Sequence, residues 1–213
     1  MRYQIISTGS KGNAVVIDGY ILIDCGVPFK NLQAIYKDLK IVLLTHIHGD
    51  HFKPSTIKRL AKERPALRFG CCAWLVPDLV ACGVSKKNID VYEVGKIYCY
   101  KKPAIKVNPI KLYHDVPQCG YRLNVDGQKV IYATDTAHLE GITARDYDLY
   151  MIEANYTDDE LQERIQRKQA DGSYIYEHTV AYRHLSKEQA DAFIYSNMGD
   201  QSEYVYLHEH KEE

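Results

Sequence analysis

Long apolar runs are missing from the sequence. No stretch approaches the ~20 consecutive apolar residues that cross a bilayer. The first ten residues, MRYQIISTGS, contain neither the apolar core nor the cleavage site of a secretory signal. We therefore expect a cytoplasmic protein with no membrane partner.

An excess of either charge is also missing, because 27 lysines and arginines face 28 aspartates and glutamates, for a net charge of -1. Such a chain has no global field that attracts nucleic acid, so any affinity for phosphate must be local. Arg164, Arg167 and Lys168 on a predicted helix are the candidate nucleic-acid contacts. A solvated helix face is the alternative interpretation of these three residues.

The six cysteines contain no CxxC pair, and a chain of 213 residues can bury a sufficient core without disulfides. Reduced thiols fit a cytoplasmic location. The glycine-bearing segment at 7–13, STGSKGN, lacks the GK(S/T) ending of a nucleotide-binding phosphate loop and is interpreted as a turn beside the active site. The length predicts one domain that spans residues 1–213.

Short β-rich segments alternate with helical patterns along the chain. Strands are predicted at 3–7, 13–18, 20–24, 40–45, 91–94, 96–100, 104–114, 121–135 (a hairpin that turns at Asp126-Gly127), 148–155 and 203–210. Helices are predicted at 28–39, 54–63, 74–83, 158–168 and 186–197, the last with a Ser186/Gln189 capping box. Two β-rich halves with helices outside predict a four-layer αβ/βα sandwich of the α/β class.

The segment LLTHIHGDH at 43–51 places three histidines and an aspartate within six residues, directly after an apolar strand. Imidazoles and carboxylates are the ligands of divalent transition metals, and a loop that leaves a buried strand can hold them rigidly. A lone histidine here would more often be an ordinary surface or core residue. The set of His46, His48, Asp50 and His51 therefore predicts a metal site.

Two ions need more ligands than this loop supplies. His114, Asp135 and His208 each follow an apolar strand, although either histidine alone could be a solvated strand-end residue. The predicted assignment places His46, His48 and His114 on one ion; Asp50, His51 and His208 on the other; and Asp135 as the bridge. Two bridged ions generate a hydroxide near neutral pH and bind attacking and leaving oxygens, which suits phosphodiester hydrolysis.

The ordered motif HxHxDH, His, Asp, His between residues 46 and 208 resembles that of the metallo-β-lactamase superfamily. The segments STGSKGNA, LIDCG, YHDVPQCGYRL, YATDTAHL and RHLSKEQA are similar to those of its WalJ/YycJ-type branch. The resemblance implies the metallo-β-lactamase fold and ribonuclease Z-like nuclease activity, typically a 5′-to-3′ exonuclease acting on DNA. Relatives usually have ESNHD where this chain has EANYT, and the ending LHEHKEE also departs from their pattern.

The resemblance also implies further site residues. His184 in RHLS falls where ribonuclease Z-like enzymes have a proton donor to the leaving oxygen, and Asp50 and His184 are the predicted catalytic residues. A phosphodiester leaving group needs such an acid, although a loop histidine beside a capping serine is the alternative. Asp24 and Asn155 are predicted to orient metal-bound histidines, and a turn-forming aspartate is the alternative for Asp24.

Two other functions stay open. A small-molecule metallohydrolase would cleave a thioester, lactone or cyclic nucleotide, but LYHDVP lacks the GHT-type segment of glyoxalase II-like members. A catalytically inactive metal-binding partner protein is the other alternative, although a scaffold has no need for a bridging aspartate. The expected cofactors are two divalent ions, Zn²⁺ or Mn²⁺ with Fe²⁺ as a further option, and the expected partner is a nucleic-acid substrate, DNA rather than RNA.

Overall fold

A computed structural model describes residues 1–208, and the chain divides into two compact units that are described separately. The first unit consists of Met1–Tyr98 and Val116–Cys119, and the second of Cys99–Asp115 and the residues from Gly120 onward. Within residues 1–208, no helix is both long and apolar enough to span a bilayer. His210, for which no ligand role was predicted, and the end of the predicted strand 203–210 lie outside the described residues.

The first unit is built around a mixed sheet in which six strands follow one another in chain order. The strands are β1 (Tyr3–Ser7), β2 (Ala14–Ile17), β3 (Ile21–Ile23), β4 (Ile41–Leu43), β5 (Arg68–Cys72) and β6 (Ile89–Tyr92). Strands β1 to β3 pair antiparallel, and β3 to β6 pair parallel. Strands β3 and β4 are fully buried, in keeping with their continuous apolar sequences.

Three α-helices accompany this sheet within the described part of the first unit: α1 (Phe29–Leu32), α2 (Pro54–Glu63) and α3 (Val76–Ala81). Short 3₁₀ turns occupy Ala73–Leu75 and Lys86–Asn88. Helix α2 has the predicted bounds, because its proline stands at the first helical turn where no amide hydrogen is needed. Its apolar side faces the core of the unit through Ile57 and Leu60.

The helix predicted at 28–39 is wrong beyond Leu32, where the chain continues as a series of turns. The apolar spacing was correct, because Leu32 and Leu39 are buried in the core of the unit. The guanidinium group of Arg64 donates hydrogen bonds to the carbonyl oxygens of Tyr36, Lys37 and Leu39. These contacts satisfy carbonyls near the end of the segment without a helical ladder.

Strand β5 was missed because its sequence, RFGCC, has neither alternation nor an unbroken apolar run. Its glycine is explained by a close approach, since a Cβ on Gly70 would lie 2.3 Å from the Tyr92 hydroxyl oxygen. Tyr92 belongs to β6, which pairs beside β5. Only a residue without a side chain fits this position unless the tyrosine moves.

The second unit is built around another mixed sheet of six strands, again neighbouring in chain order. The strands are β7 (Tyr98–Lys101), β8 (Ala104–Lys111), β9 (Cys119–Val125), β10 (Gln128–Ala133), β11 (Leu149–Glu153) and β12 (Glu203–Leu207). The predicted hairpin turn is confirmed, because Asp126 and Gly127 join β9 to β10 with positive φ angles of 49° and 91°. Strands β10, β11 and β12 pair parallel.

Three helices follow β11 within the described residues: α4 (Asp158–Asp171), α5 (Glu177–Ala181) and α6 (Lys187–Asn197). The capping box of Ser186 and Gln189 is confirmed at α6. Helix α4 extends three residues beyond the predicted end and ends where Gly172 adopts the left-handed conformation, with φ 74°. Helix α5 was not predicted, since five residues are too short for a helical period to show.

The two sheets with their helices confirm the predicted α/β class. In each unit the parallel strands have their carboxyl ends at one edge of the sheet. Polar residues that follow such strands are therefore brought together. This arrangement positions the ligand-type side chains of both units.

We expect the Gly26→Ala variant to be strongly destabilised, because the added Cβ would lie 1.7 Å from the carbonyl oxygen of Asp50 in the backbone of the histidine loop. Overpacking costs about 1–3 kcal/mol and more where backbone must move. Chemical denaturation of the variant should show a loss of about 3 kcal/mol or more in the free energy of unfolding.

Gly49→Ala is the matched control, because a Cβ there meets no atom within 4 Å. Its free energy of unfolding should change by no more than about 0.5 kcal/mol. Equal stability of the two variants would show that the loop does not need the close approach at Gly26.

Candidate metal centre

The histidine loop of the first unit follows the buried strand β4. The backbone amides of His51 and Phe52 both donate to the carbonyl oxygen of His48, at 2.9 and 2.7 Å, so the loop folds back on itself. His46 and His51 are fully buried, with ring centroids 4.2 Å apart, and the His48 ring lies 4.8 Å from that of His46. Three imidazoles are thus clustered within one turn of chain.

Asp24 fixes two of these rings. The Nδ1–H of His51 donates to Asp24 Oδ2 at 2.7 Å, and the hydroxyl and backbone amide of Thr45 donate to Asp24 Oδ1 at 2.9 and 3.0 Å. Because the Thr45 hydroxyl hydrogen is directed at the carboxylate, the contact of 2.9 Å between Thr45 Oγ1 and His46 Nδ1 is donated by the imidazole. Both histidines therefore have Nε2 as the unprotonated nitrogen, which is the form that binds a metal.

Asn13 is a site residue that the sequence did not single out. Its amide nitrogen lies 2.8 Å from His51 Nε2 and 3.3 Å from Asp50 Oδ2, while its amide oxygen accepts from the backbone amide of Gly9 at 2.9 Å. The segment 7–13 was predicted as a turn beside the active site, and the structure places it against the histidine loop. The buried asparagine ties that turn to two ligand-type side chains.

Three candidate site residues adopt the left-handed backbone conformation directly after or near the end of a strand. The φ angles are 58° at Asp24, 54° at Asp135 and 55° at His208. This conformation costs free energy for residues other than glycine and is concentrated at functional sites. Sequence alone gives no sign of it beyond the tolerance of aspartate for positive φ.

The second unit brings together two carboxylates and two imidazoles. One ligand-type atom from each of Asp135, Glu153, His184 and His208 lies within 4.8 Å of the others. Asp135, Glu153 and His208 lie at or just beyond the carboxyl ends of the parallel strands β10, β11 and β12. His184 comes from the loop before α6.

Glu153 holds His184 and is the main residue that the sequence did not assign a role. Its fully buried carboxylate accepts from His184 Nδ1 at 2.6 Å and from the backbone amides of Thr136 and Leu185 at 3.0 and 3.3 Å. Burial alone would lower the pKa of His184, but the hydrogen bond and charge of Glu153 and the charge of Asp135 outweigh it and raise the pKa. The only sequence signal was the strand-end position of Glu153.

Asn155 contacts the histidine that follows β12. Its amide nitrogen lies 2.9 Å from both Nδ1 and the backbone carbonyl oxygen of His208. The His208 ring also stacks on His184, with centroids 5.2 Å apart. These contacts fix the plane of the His208 ring, and the role of Asn155 in orienting a metal-bound histidine stays a prediction.

His114 also lies in this cluster. Its Nδ1–H donates to the carbonyl oxygen of Arg183 at 3.1 Å, and its ring meets that of His184 edge to face at 5.4 Å. Its Nε2 lies 3.2 Å from Asp115 Oδ1, and Asp115 also pairs with the Arg183 guanidinium at 3.0 Å. Because the carbonyl oxygen can only accept, His114 has Nε2 as its unprotonated nitrogen in the neutral state.

The predicted site residues thus form two groups, one within each unit. The first unit contributes Asp24, His46, His48, Asp50 and His51, and the second contributes His114, Asp135, Asn155, His184 and His208.

One donor pair in each unit has the spacing of two ligands on a divalent transition metal. Two ligands at 2.0–2.2 Å from a tetrahedral ion lie about 3.4 Å apart. In the first unit, His51 Nε2 and Asp50 Oδ2 are 3.5 Å apart, and in the second, His208 Nε2 and Asp135 Oδ1 are 3.5 Å apart. Imidazole and carboxylate donors suit Zn²⁺, Mn²⁺ or Fe²⁺.

The predicted nucleic-acid contacts lie on α4. Lys168 extends to Glu177, with 2.7 Å between the ammonium nitrogen and a carboxylate oxygen, and Glu177 is fully buried. The Nε of Arg164 donates to the carbonyl oxygen of Glu160 at 3.3 Å, and Arg167 is exposed. The charge of Lys168 therefore serves the packing of α4 against α5.

The whole chain has the fold of several solved structures. The metallo-β-lactamase fold protein YhfI from Bacillus subtilis superposes with a TM-score of 0.72 at 16% identity, over 97% of this chain and 85% of that one. Human tRNase Z, short form, gives 0.66 at 16% identity, over 98% and 93%. Zn²⁺-bound PqqB from Methylobacterium extorquens gives 0.66 at 12% identity, over 98% and 89%. At these identities the likeness shows the fold alone, and it confirms the predicted metallo-β-lactamase fold.

Histidine and carboxylate clusters at the strand ends of this fold define a class of metal-binding proteins. The model of the beta-lactamase superfamily domain matches residues 20–194, well over half of the sequence, so the chain belongs to the metallo-β-lactamase superfamily. No curated protein matches the sequence at a significant level. The finer resemblance to the WalJ/YycJ-type branch stays a prediction.

We expect the Asp24→Asn variant to bind Zn²⁺ about 10- to 100-fold more weakly, because the carboxylate that fixes the rings of His46 and His51 is lost. Competition with a chromophoric chelator measures the affinity. Asparagine tolerates the left-handed backbone of this position, so the variant isolates the side-chain effect.

Asp126→Asn is the matched control, since Asp126 has a similar φ of 49° in an exposed hairpin turn. Its metal affinity should equal that of the wild type. Unchanged affinity in Asp24→Asn would contradict the assigned role of the carboxylate.

Proposed function

We propose that the protein is a dinuclear metal-dependent phosphodiesterase that cleaves nucleic acid, acting as an exonuclease on DNA. The observation that carries the proposal is the imidazole of His184, which Glu153 holds beside the ligand-type residues Asp135 and His208. Cleavage of a phosphodiester needs a proton for its poor leaving oxygen, whereas a thioester or an activated lactam needs it less. The superfamily consists of metal-dependent hydrolases and includes phosphodiesterases.

The proposed ligands are those predicted from the sequence. They are His46, His48 and His114 for one ion, Asp50, His51 and His208 for the other, and Asp135 as the bridge. Two divalent ions, Zn²⁺ or Mn²⁺ with Fe²⁺ as a further option, would supply an activated water near neutral pH and neutralise charge on the phosphoryl oxygens. One solved structure of the same fold, PqqB, is Zn²⁺-bound.

The chain's own residues would position these ligands and move one proton. Asp24 and Thr45 hold the His46 and His51 rings in the tautomer that a metal requires. Glu153 fixes Nδ1–H of His184, so a second proton on that ring would sit on Nε2, from which it could pass to the leaving oxygen. The buried carboxylate also stabilises the imidazolium before this transfer.

The choice of DNA, and of 5′-to-3′ polarity, rests on the resemblance to the WalJ/YycJ-type branch. Human tRNase Z, which shares the fold, is by its name an RNA-processing enzyme, so RNA is included among the substrates tested.

The first test compares cleavage of 5′-labelled duplex DNA, single-stranded DNA and single-stranded RNA with added Mn²⁺ or Zn²⁺. We expect wild-type protein to degrade DNA and the Asp50→Ala and His48→Ala variants to lose at least about 10²-fold of this rate, because a ligand of the activating metals is removed. Product ladders give polarity.

Asp200→Ala is the matched control, since Asp200 is exposed and lies in a turn away from the ligand groups in sequence. It should cleave like wild type. Survival of every strand in the presence of two bound metals per chain would contradict nuclease function and direct the search to small phosphodiesters, lactones and thioesters. Full activity of Asp50→Ala would contradict the ligand assignment.

A second test addresses the proton donor. We expect Glu153→Gln and His184→Ala to slow DNA cleavage by about 10²-fold or more, because the leaving oxygen is no longer protonated efficiently. Hydrolysis of a nitrophenyl phosphodiester, whose leaving group needs no proton, should fall much less. Equal losses on both substrates, with metal content preserved, would indicate a structural or metal-binding role instead.

A further inference from the structure

Two tyrosines of the second unit are the most exposed large hydrophobic side chains among residues 1–208. Tyr174 is 84% exposed and Tyr182 is 80% exposed. By contrast, the strand tyrosines Tyr121, Tyr132 and Tyr150 are buried. An exposed tyrosine ring does not stabilise the core. When a ligand covers such a ring, the burial of its large apolar surface contributes strongly to the free energy of binding.

A short hydrogen-bonded turn of the backbone connects Tyr182 to His184 of the candidate site. Tyr182 is the C-terminal cap of α5, and the amides of Arg183 and His184 both donate to the carbonyl oxygen of Val180 at 3.0 Å. His184 in turn bonds to Glu153 at 2.6 Å. The exposed ring therefore stands on a closed turn, two residues from the imidazole of the candidate site.

The same segment has a structural core of its own. Tyr156, Leu161 and Ile165 pack with Ile175 and with Val180 of α5, and the ammonium group of Lys168 lies 3.6 Å above the ring centre of Tyr176. These contacts hold α4 against α5. Tyr182, the C-terminal cap of α5, is thus carried by a packed pair of helices, and Tyr174 lies in the connection between them.

Helix α4, which packs against α5, carries positive charge. Lys168 is engaged with buried Glu177, and Arg164 and Arg167 lie on the same helix, where Arg167 is exposed. Arginine side chains beside aromatic rings are the combination that binds single-stranded nucleic acid, in which phosphates need cations and bases need flat apolar faces.

We propose that Tyr182, together with Tyr174, is a stacking surface for unpaired bases of a single-stranded nucleic-acid substrate. This inference rests on the proposed nuclease function and adds the substrate form, an unpaired strand or frayed end. Stacking accepts any base, because every base has a π-face. The bases inside a duplex are already stacked on one another and cannot use these rings.

The test measures binding of fluorescein-labelled oligonucleotides to the metal-loaded protein by anisotropy, with phosphorothioate linkages that slow hydrolysis. We expect Tyr182→Ala to weaken binding of single-stranded DNA by about 5- to 150-fold, the factor that corresponds to the loss of one stacked base. Tyr182→Phe keeps the ring and should bind within about twofold of wild type. Binding of a blunt duplex should change by less than twofold in both variants.

Cleavage of unmodified single strands provides a second readout. Tyr182→Ala should raise KM and leave kcat near the wild-type value, because the ring binds the strand and does not contact the reacting atoms. Tyr195→Ala is the matched control, since Tyr195 is 58% exposed on α6 and lies against Tyr204. It should match wild type in both assays.

The outcomes separate this inference from the proposed function. A wild-type protein that cleaves DNA while Tyr182→Ala binds single strands equally well would overturn the stacking surface and leave the nuclease intact. A wild-type protein that neither binds nor cleaves any strand would overturn both. Light scattering that shows a wild-type dimer and a Tyr182→Ala monomer, with equal oligonucleotide affinity, would assign the ring to an interface between copies and overturn the inference.

Discussion

The carboxylate of Asp24 lies completely out of contact with solvent, and a buried carboxylate is tolerated only where hydrogen bonds replace its hydration. Here those bonds come from the Thr45 backbone amide, the Thr45 hydroxyl and His51 Nδ1. The same contacts set the tautomers of His46 and His51. The stability of the loop and its fitness for a metal therefore depend on one interaction network.

The second unit reaches a similar result with Glu153. Its carboxylate is also fully buried, and it is satisfied by two backbone amides and by His184. Because β10, β11 and β12 are parallel, their carboxyl ends place Asp135, Glu153 and His208 at one edge of the sheet. In both units a fully buried acidic side chain near a strand end orients an imidazole: Asp24 orients His51, and Glu153 orients His184.

Much of the local structure was predictable because it is encoded by neighbours in sequence. The Asp126-Gly127 turn, the capping box at Ser186 and the bounds of α2 follow from residues within one turn of chain. Strand β5 could not be predicted, since Gly70 is required by the close packing of Tyr92, which lies on another strand. The prediction of a helix after Leu32 failed for a similar reason, because Arg64, which is distant in sequence, binds carbonyl oxygens of that segment.

The sequence by itself determined which residues are ligand types and where strands deliver them, since HxHxDH and strand-end histidines are local patterns. The order of these ligand-type residues along the chain predicted membership of the superfamily. Only the tertiary structure decided that Glu153, rather than solvent, meets His184, that Asn13 meets His51, and that Tyr182 is left exposed. Each of these depends on residues that are far apart in the chain, and hydrogen-bond distance and burial are properties of the folded arrangement alone.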